Sequence, residues 1–308
     1  MKAFIRKLSI NERKGYMHSI IYSAFCGIHI LLTKFILYKL KIHFLTLLSL
    51  SGSLLILMSF YRIFRSMNKY KAIKEREKIT QIHLLKGIYS FISYGGLLAS
   101  LNWTSLTNIV LISRLFPFIS MFNRIISQSE SIPSYHLYCF LAYIFCFLII
   151  FIPLIKSDQA PGIFLCLISV IFKFISNKYW STKTKGIKVD IIVLIIGFYS
   201  AFFGGILMII FFQKMEHIGK MLWFLIILNA FTTYTMKIFL NKIIKNNSNN
   251  QKLLLFNLVI LIIAFPIDLI LFKESFSSFY LVLVLLFIDI FFFYKKVIKS
   301  KENYLYNY

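Results

Sequence analysis

Ten apolar segments run along this chain, and its basic residues fall almost entirely in every second gap between them. A membrane-crossing helix needs about 20 predominantly apolar residues. Segments of that kind lie at 16–37, 43–61, 84–101, 107–126, 136–155, 161–180, 191–213, 219–240, 253–272 and 277–294. The connections are short except at 62–83, 181–190 and 241–252, so no soluble domain fits between the spans. The pattern predicts an all-α integral membrane protein of ten transmembrane helices. Composition agrees: 59% of residues are hydrophobic and 15% charged, where a soluble domain is about a quarter charged.

Orientation follows from the gaps, because cytosolic loops are rich in Lys and Arg. With the N-terminus in the cytosol, the cytosolic segments hold about 24 basic residues and the opposite ones about 6. Both termini are then cytosolic, and a missed span would reverse the alternation downstream of it. A formal charge of +24 would ordinarily suggest nucleic acid. Here the charge is distributed by topology, so the partner it implies is the anionic cytosolic leaflet of a lipid bilayer. The leader at 1–15 is basic and is followed by a full-length span, not by a short apolar region with a cleavage site, so the first span is expected to be retained. Which membrane hosts the chain is not encoded in this pattern.

Ten spans divide into an N-terminal five-helix repeat at 1–157 and a C-terminal one at 158–308, together one membrane domain. Five is odd, so the second repeat enters from the opposite side and the two are expected to be inverted. The fourth span carries Phe116-Pro117 and the ninth Phe265-Pro266. Each is followed by an acidic residue near the next gap (Glu130, Glu274), one more span and an Ile-Lys-Ser exit at 155–157 and 298–300.

The stretch from Ala99 to Pro117, ASLNWTSLTNIVLISRLFP, resembles the third-to-fourth span region of the drug/metabolite transporter superfamily, EamA-type branch. In that family the third span ends in an Ala-Leu-aromatic-Thr-Ser-like turn. A fourth span with a central proline follows, then a Glu, and Glu130 stands thirteen residues after Pro117. The second half departs from the pattern, since Glu274 follows Pro266 by only eight residues. The ten-span layout covers the whole chain, and the motif-like part only about 85–155. The resemblance implies a carrier that moves a small organic metabolite by alternating access, through a central cavity lined from both halves. The alternative is a polytopic membrane enzyme or an assembly subunit of a membrane complex.

Ionisable side chains at bilayer depth are costly, so each one needs an explanation. Lys34, Lys86, Arg124 and Lys237 sit near span ends and are expected to snorkel to the interface. Arg114 and Asp268 lie close to Pro117 and Pro266 on pseudo-equivalent spans. They are candidates to face each other across the cavity as a gate or substrate contact, or else to lock the repeats together as a static pair. Lys173 and Asp289 lie at matching depth in the sixth and tenth spans and are candidates for a pair. Pro117 and Pro266 free backbone carbonyls, which inside a membrane are tolerated only against protein or a wet cavity. Tyr94 and Trp103, with Tyr199 and Trp223, are candidates for an aromatic wall, or for the ordinary lipid-facing belt. Gly197, Ala201 and Gly205 form a small-residue seam for helix packing, within the bundle or in a homodimer.

No HExxH, GxSxG or Gly-rich phosphate loop is present, and the six histidines are scattered. The four cysteines, Cys26, Cys139, Cys146 and Cys166, all lie inside apolar segments without a CxxC pair. No catalytic residue, metal or cofactor is therefore expected.

Overall fold

The computed structural model describes residues 10–67, 81–113, 158–183, 189–211 and 219–245, with a few isolated positions elsewhere. The described residues are helical, joined by turns. They form α1 (Ile10–Lys34), α2 (Phe44–Met67), α3 (Gln81–Ser100), α4 (Leu106–Ser113), α5 (Ala160–Lys183), α6 (Val189–Ile210) and α7 (Lys220–Lys245). A π-helical turn, Phe35–Lys39, extends α1. Stretches long and apolar enough to cross a membrane occur at Met17–Lys39, Phe44–Arg65, Val189–Ile210 and Lys220–Leu240, and a shorter apolar one at Ala160–Ser176.

These helices fall on the first, second, third, sixth, seventh and eighth apolar segments, with α4 at the start of the fourth. The fifth, ninth and tenth lie outside the described residues. The edges differ from the sequence reading in two places. α1 begins at Ile10, inside the expected leader, and α2 continues past Tyr61 to Met67. A nucleated helix gains one backbone hydrogen bond for each residue it adds, so polar flanks are drawn into it. α4 starts where Ser105 caps it, its Oγ accepting the Asn108 amide at 3.0 Å.

Large apolar side chains remain exposed in stripes at helical spacing: Met221, Phe224, Ile227 and Phe231 on α7, and Phe198, Phe202 and Ile209 on α6. In water such surfaces would be a liability. Against lipid they are the ordinary outer face of a membrane helix.

Six helices pack in a regular scheme. α2 lies along α6, α1 along α7 and α3 along α5, with smaller contacts of α3 on α6, α2 on α7, α2 on α3 and α6 on α7. The α2–α6 crossing is the tightest. A Cβ added at Gly52 would stand 2.8 Å from the Gly197 carbonyl oxygen and 2.5 Å from the Ala201 nitrogen. A Cβ added at Gly197 would stand 2.9 Å from the Gly52 oxygen and 3.1 Å from the Ile56 nitrogen. The backbones touch because both positions lack a side chain. Gly204 continues this face against Ser49, whose Oγ donates to the Ala201 carbonyl at 3.4 Å.

The side-chain pairings also give directions. Ser90 meets Ser176 at 2.8 Å and Ser169 donates to the Ser93 carbonyl at 2.6 Å, so α3 and α5 are antiparallel. Cys26 opposes Met236 and Thr33 opposes Asn229, so α1 and α7 are antiparallel as well. Gly87 faces Ile195 and Tyr199, while Phe91 stacks near Phe203 with ring centroids 5.4 Å apart, so α3 and α6 run parallel.

Candidate functional site

Polar side chains in an apolar helix must find partners in one another, and here they collect between α1, α3 and α7. On α1, His29 and Thr33 are one turn apart on one face. On α7, Asn229, Thr232 and Thr233 occupy i, i+3 and i+4, which also share a face. All five are buried. Asn229 donates from Nδ2 to Thr33 Oγ1 at 2.7 Å. Thr232 and Thr233 place their hydroxyls 3.4 and 3.2 Å from His29 Nδ1. Thr33, Thr232 and Thr233 also donate to backbone carbonyls one turn back, which occupies their hydrogens. From α3, the Tyr94 hydroxyl donates to Asn229 Oδ1 at 3.5 Å, and the Tyr94 ring stacks on His29 with centroids 5.8 Å apart. The result is one connected polar network at mid-helix, built from three helices.

Two polar stripes lead away from it. On α3, Tyr94, Ser90 and Lys86 follow at four-residue spacing; on α7, Asn229, Thr233 and Lys237 do the same. Two helical turns cover about 12 Å, so both lysines lie about that far from the Tyr94–Asn229 contact. Since α3 and α7 are joined at that contact and run in opposite directions, both stripes descend toward the same end. Lys173 on α5 lies one turn from both Ser169 and Ser176, which bond to α3 at Ser93 and Ser90. Lys86 is 3% exposed, and Lys173 and Lys237 are half-buried.

This corrects the expected snorkelling. Lys34 is 1% exposed and Lys86 3%, so both are enclosed by protein and do not reach out along a lipid-facing surface. The position of a lysine near a span end fixes its depth, but the helix face decides whether it meets lipid or the bundle interior.

At the end toward which the stripes descend, Arg62 of α2, Asp190 of α6 and Tyr234 of α7 form a second cluster. Arg62 Nε lies 3.8 Å from Asp190 Oδ1 and its Nη1 donates to the Tyr234 hydroxyl at 3.4 Å. The same hydroxyl donates to Asp190.

Of the residues singled out from sequence, Tyr94 is in the buried network and Lys173 lies on α5 between Ser169 and Ser176, the serines that bond to α3. Trp103 stands apart from Tyr94: it sits in the turn between α3 and α4, 44% exposed, its Cβ close to where a side chain at Gly162 would begin. Tyr199 packs where a Cβ at Gly87 would begin, and Trp223 is exposed. Gly197 and Ala201 are set against Gly52, while Gly205 has, among the described residues, only Ser49 Oγ near it, at 3.8 Å from an added Cβ. Arg114, Pro117, Pro266, Asp268 and Asp289 lie outside the described residues. Cys26 and Cys166 are buried free thiols. Among the described residues, no group of three or more His, Cys, Asp or Glu side chains is placed to hold a metal.

His29, Thr33, Asn229, Thr232 and Thr233 were not picked out from sequence. The usable signal was the facing pattern, one-turn spacing of hydrogen-bonding side chains inside otherwise apolar segments, and not charge.

No family model matches the chain, and no curated protein does. Several solved structures match it. One of them, described only as "Crystal structure of protein", is 11% identical, with 87% of this chain and 95% of that chain covered at a TM-score of 0.57. The likeness is one of fold.

Proposed function

We propose that this protein is a membrane carrier that moves a small organic metabolite by alternating access between two inverted five-helix repeats, in the manner of the drug/metabolite transporters its sequence resembles. The observation that carries the proposal is the packing scheme. Exchange the first, second and third apolar segments with the sixth, seventh and eighth. The α1–α7 contact becomes α5–α3, α3–α6 becomes α7–α2, α2–α3 becomes α6–α7, and α2–α6 becomes itself. Every sizeable pairing among these six helices has its counterpart.

The α2–α6 crossing has the same property residue by residue. Gly52 meets Gly197, Ser200 and Ala201, while Gly197 meets Gly52, Leu55 and Ile56. Each glycine faces its opposite and the residues three and four beyond it, as a two-fold axis at the crossing requires. Inverted repeats with a polar site at their interface are a recurrent plan of secondary transporters. The network of His29, Thr33, Tyr94 and Asn229 is drawn from helices of both proposed repeats and supplies hydrogen-bonding groups at mid-depth. In this reading both termini are cytosolic, and the Arg62–Asp190–Tyr234 cluster joins the repeats at the cytosolic end.

The test is flux. Purified full-length protein in sealed proteoliposomes is expected to exchange at least one labelled solute from a panel of amino acids, nucleotide sugars, sugar phosphates and quaternary amines. Folded protein that moves none of them would favour the membrane enzyme or assembly subunit instead.

A further inference from the structure

His29 is buried where α1 meets α3 and α7, and its two ring nitrogens are not equivalent. Nδ1 stands 3.2 Å from the Thr233 hydroxyl and 3.4 Å from that of Thr232. Those hydroxyls make the shorter bonds of 2.9 and 2.8 Å to the Asn229 carbonyl, and the single hydrogen of each goes there. The threonine oxygens therefore accept from His29, and Nδ1 carries the hydrogen. In the neutral ring the lone pair is then on Nε2, which has no hydrogen-bond partner among the described residues. The Tyr94 ring stacks on the imidazole with centroids 5.8 Å apart, within the range at which an aromatic face attracts a cation. The site holds an open lone pair for a proton and a π-face for the charge that a proton brings.

We propose that His29 Nε2 is the proton-binding site of this protein, and that cargo movement is coupled to proton uptake and release there. The coupling rests on the carrier reading; the proton site does not. The step is a protonation with no redox change. A proton from water adds to the Nε2 lone pair, imidazole becomes imidazolium, and Nδ1–H stays on the threonines. One positive charge and one donor without an acceptor then appear inside the bundle. Both are costly at that depth. The protonated ring therefore favours an arrangement in which Nε2–H meets water or another acceptor, and so shifts the balance between states. His29 belongs to the first proposed repeat, and Asn229, Thr232 and Thr233 to the second, so the proton is bound across the surface between the repeats.

The titratable groups around it are few among the described residues. Tyr94 faces His29 from α3. On α7, Lys237 lies one turn past Thr233 and next to Met236, which meets Cys26 of α1. Tyr234 is turned away to Arg62 and Asp190. α4, which also touches α1, carries no titratable side chain.

Solid-state NMR of the histidine side chains, on the full-length protein in lipid bilayers, reads the site directly. The His29 signals are assigned through Ile28 and Ile30 in the unaltered protein. They are expected to show a neutral ring protonated on Nδ1 at about pH 8.5 and an imidazolium at about pH 5. Tyr94→Leu, which removes the π-face, is expected to move that transition about one pH unit toward acid. A neutral ring protonated on Nε2 would overturn the proposal, and so would a ring that stays neutral throughout.

Flux separates the two readings. In proteoliposomes that exchange a solute of the panel, an imposed pH gradient is expected to drive its accumulation, and His29→Gln to lose that drive. Accumulation by the unaltered protein that ignores the gradient removes the coupling and keeps the carrier. A His29 that titrates as expected, in vesicles that move no solute, keeps the proton site and removes the carrier.

Discussion

At the scale of single residues, the effect of a substitution follows from whether the neighbouring atom can yield. A Cβ at Gly52 would be 2.5 Å from a backbone nitrogen of α6, and backbone cannot move without moving the helix. Gly52→Val is therefore expected to cost more than the 1–3 kcal/mol typical of overpacking. It should remove most of the monodisperse peak in fluorescence-detected size exclusion, while Gly205→Ala, which among the described residues meets only a serine hydroxyl at 3.8 Å, leaves it intact. The Asn229–Thr33 bond is a different case, because its loss strands polar atoms without a clash. Asn229→Leu and Thr33→Val, combined in a double-mutant cycle of unfolding, should show a coupling of about 0.6–1.7 kcal/mol, the range found for hydrogen bonds between membrane helices.

At the scale of elements, the link between α1 and α2 stands out. It is closed by the π-turn at Phe35–Lys39 and by Lys41 at φ 54, in the left-handed region that costs a non-glycine residue about 1 kcal/mol. Glycine relieves that strain but adds freedom to the unfolded chain, so Lys41→Gly should leave the unfolding midpoint unchanged or slightly raised. Lys41→Val, β-branched, should lower it clearly. Elements were also where the sequence was most readable. A helix crossing lipid must be apolar over its whole length, so α1, α2, α3, α5, α6 and α7 appear as segments before any packing is known. What hydropathy leaves open is rotation about the helix axis. His29 and Asn229 are diluted by apolar neighbours in any window average, and Lys86 is given the wrong face by a rule that uses depth alone. The partner of the Gly197 seam was equally hidden, because Gly52 lies in a Ser-rich stretch of α2 with one glycine and no repeat of its own.

At the scale of the whole molecule, the cluster that ties Arg62 near the end of α2 and Asp190 at the start of α6 to Tyr234 midway along α7 spans the two proposed halves. Alternating access requires that end to open in one state, so tying it shut should stop transport. In a background with the native cysteines replaced, Arg62→Cys/Asp190→Cys is expected to lose flux on oxidation and regain it on reduction. Unchanged flux with a fully formed cross-link would mean that this end does not open. The same cluster sets what a rocking motion must break: one half-exposed ion pair, one hydrogen bond to a phenol and one from it, a modest barrier compared with the burial of helix faces.

The contact between Gly52 and Gly197 has a consequence for how such a motion would proceed. Two backbones in direct contact have no side chains between them to compress or to change rotamer. Two halves related by an axis through that contact can tilt about it while the contact itself stays where it is. It would then be the fulcrum of the molecule. Probe distances should be constant across it and grow with distance from it, in opposite senses toward the two ends of α2.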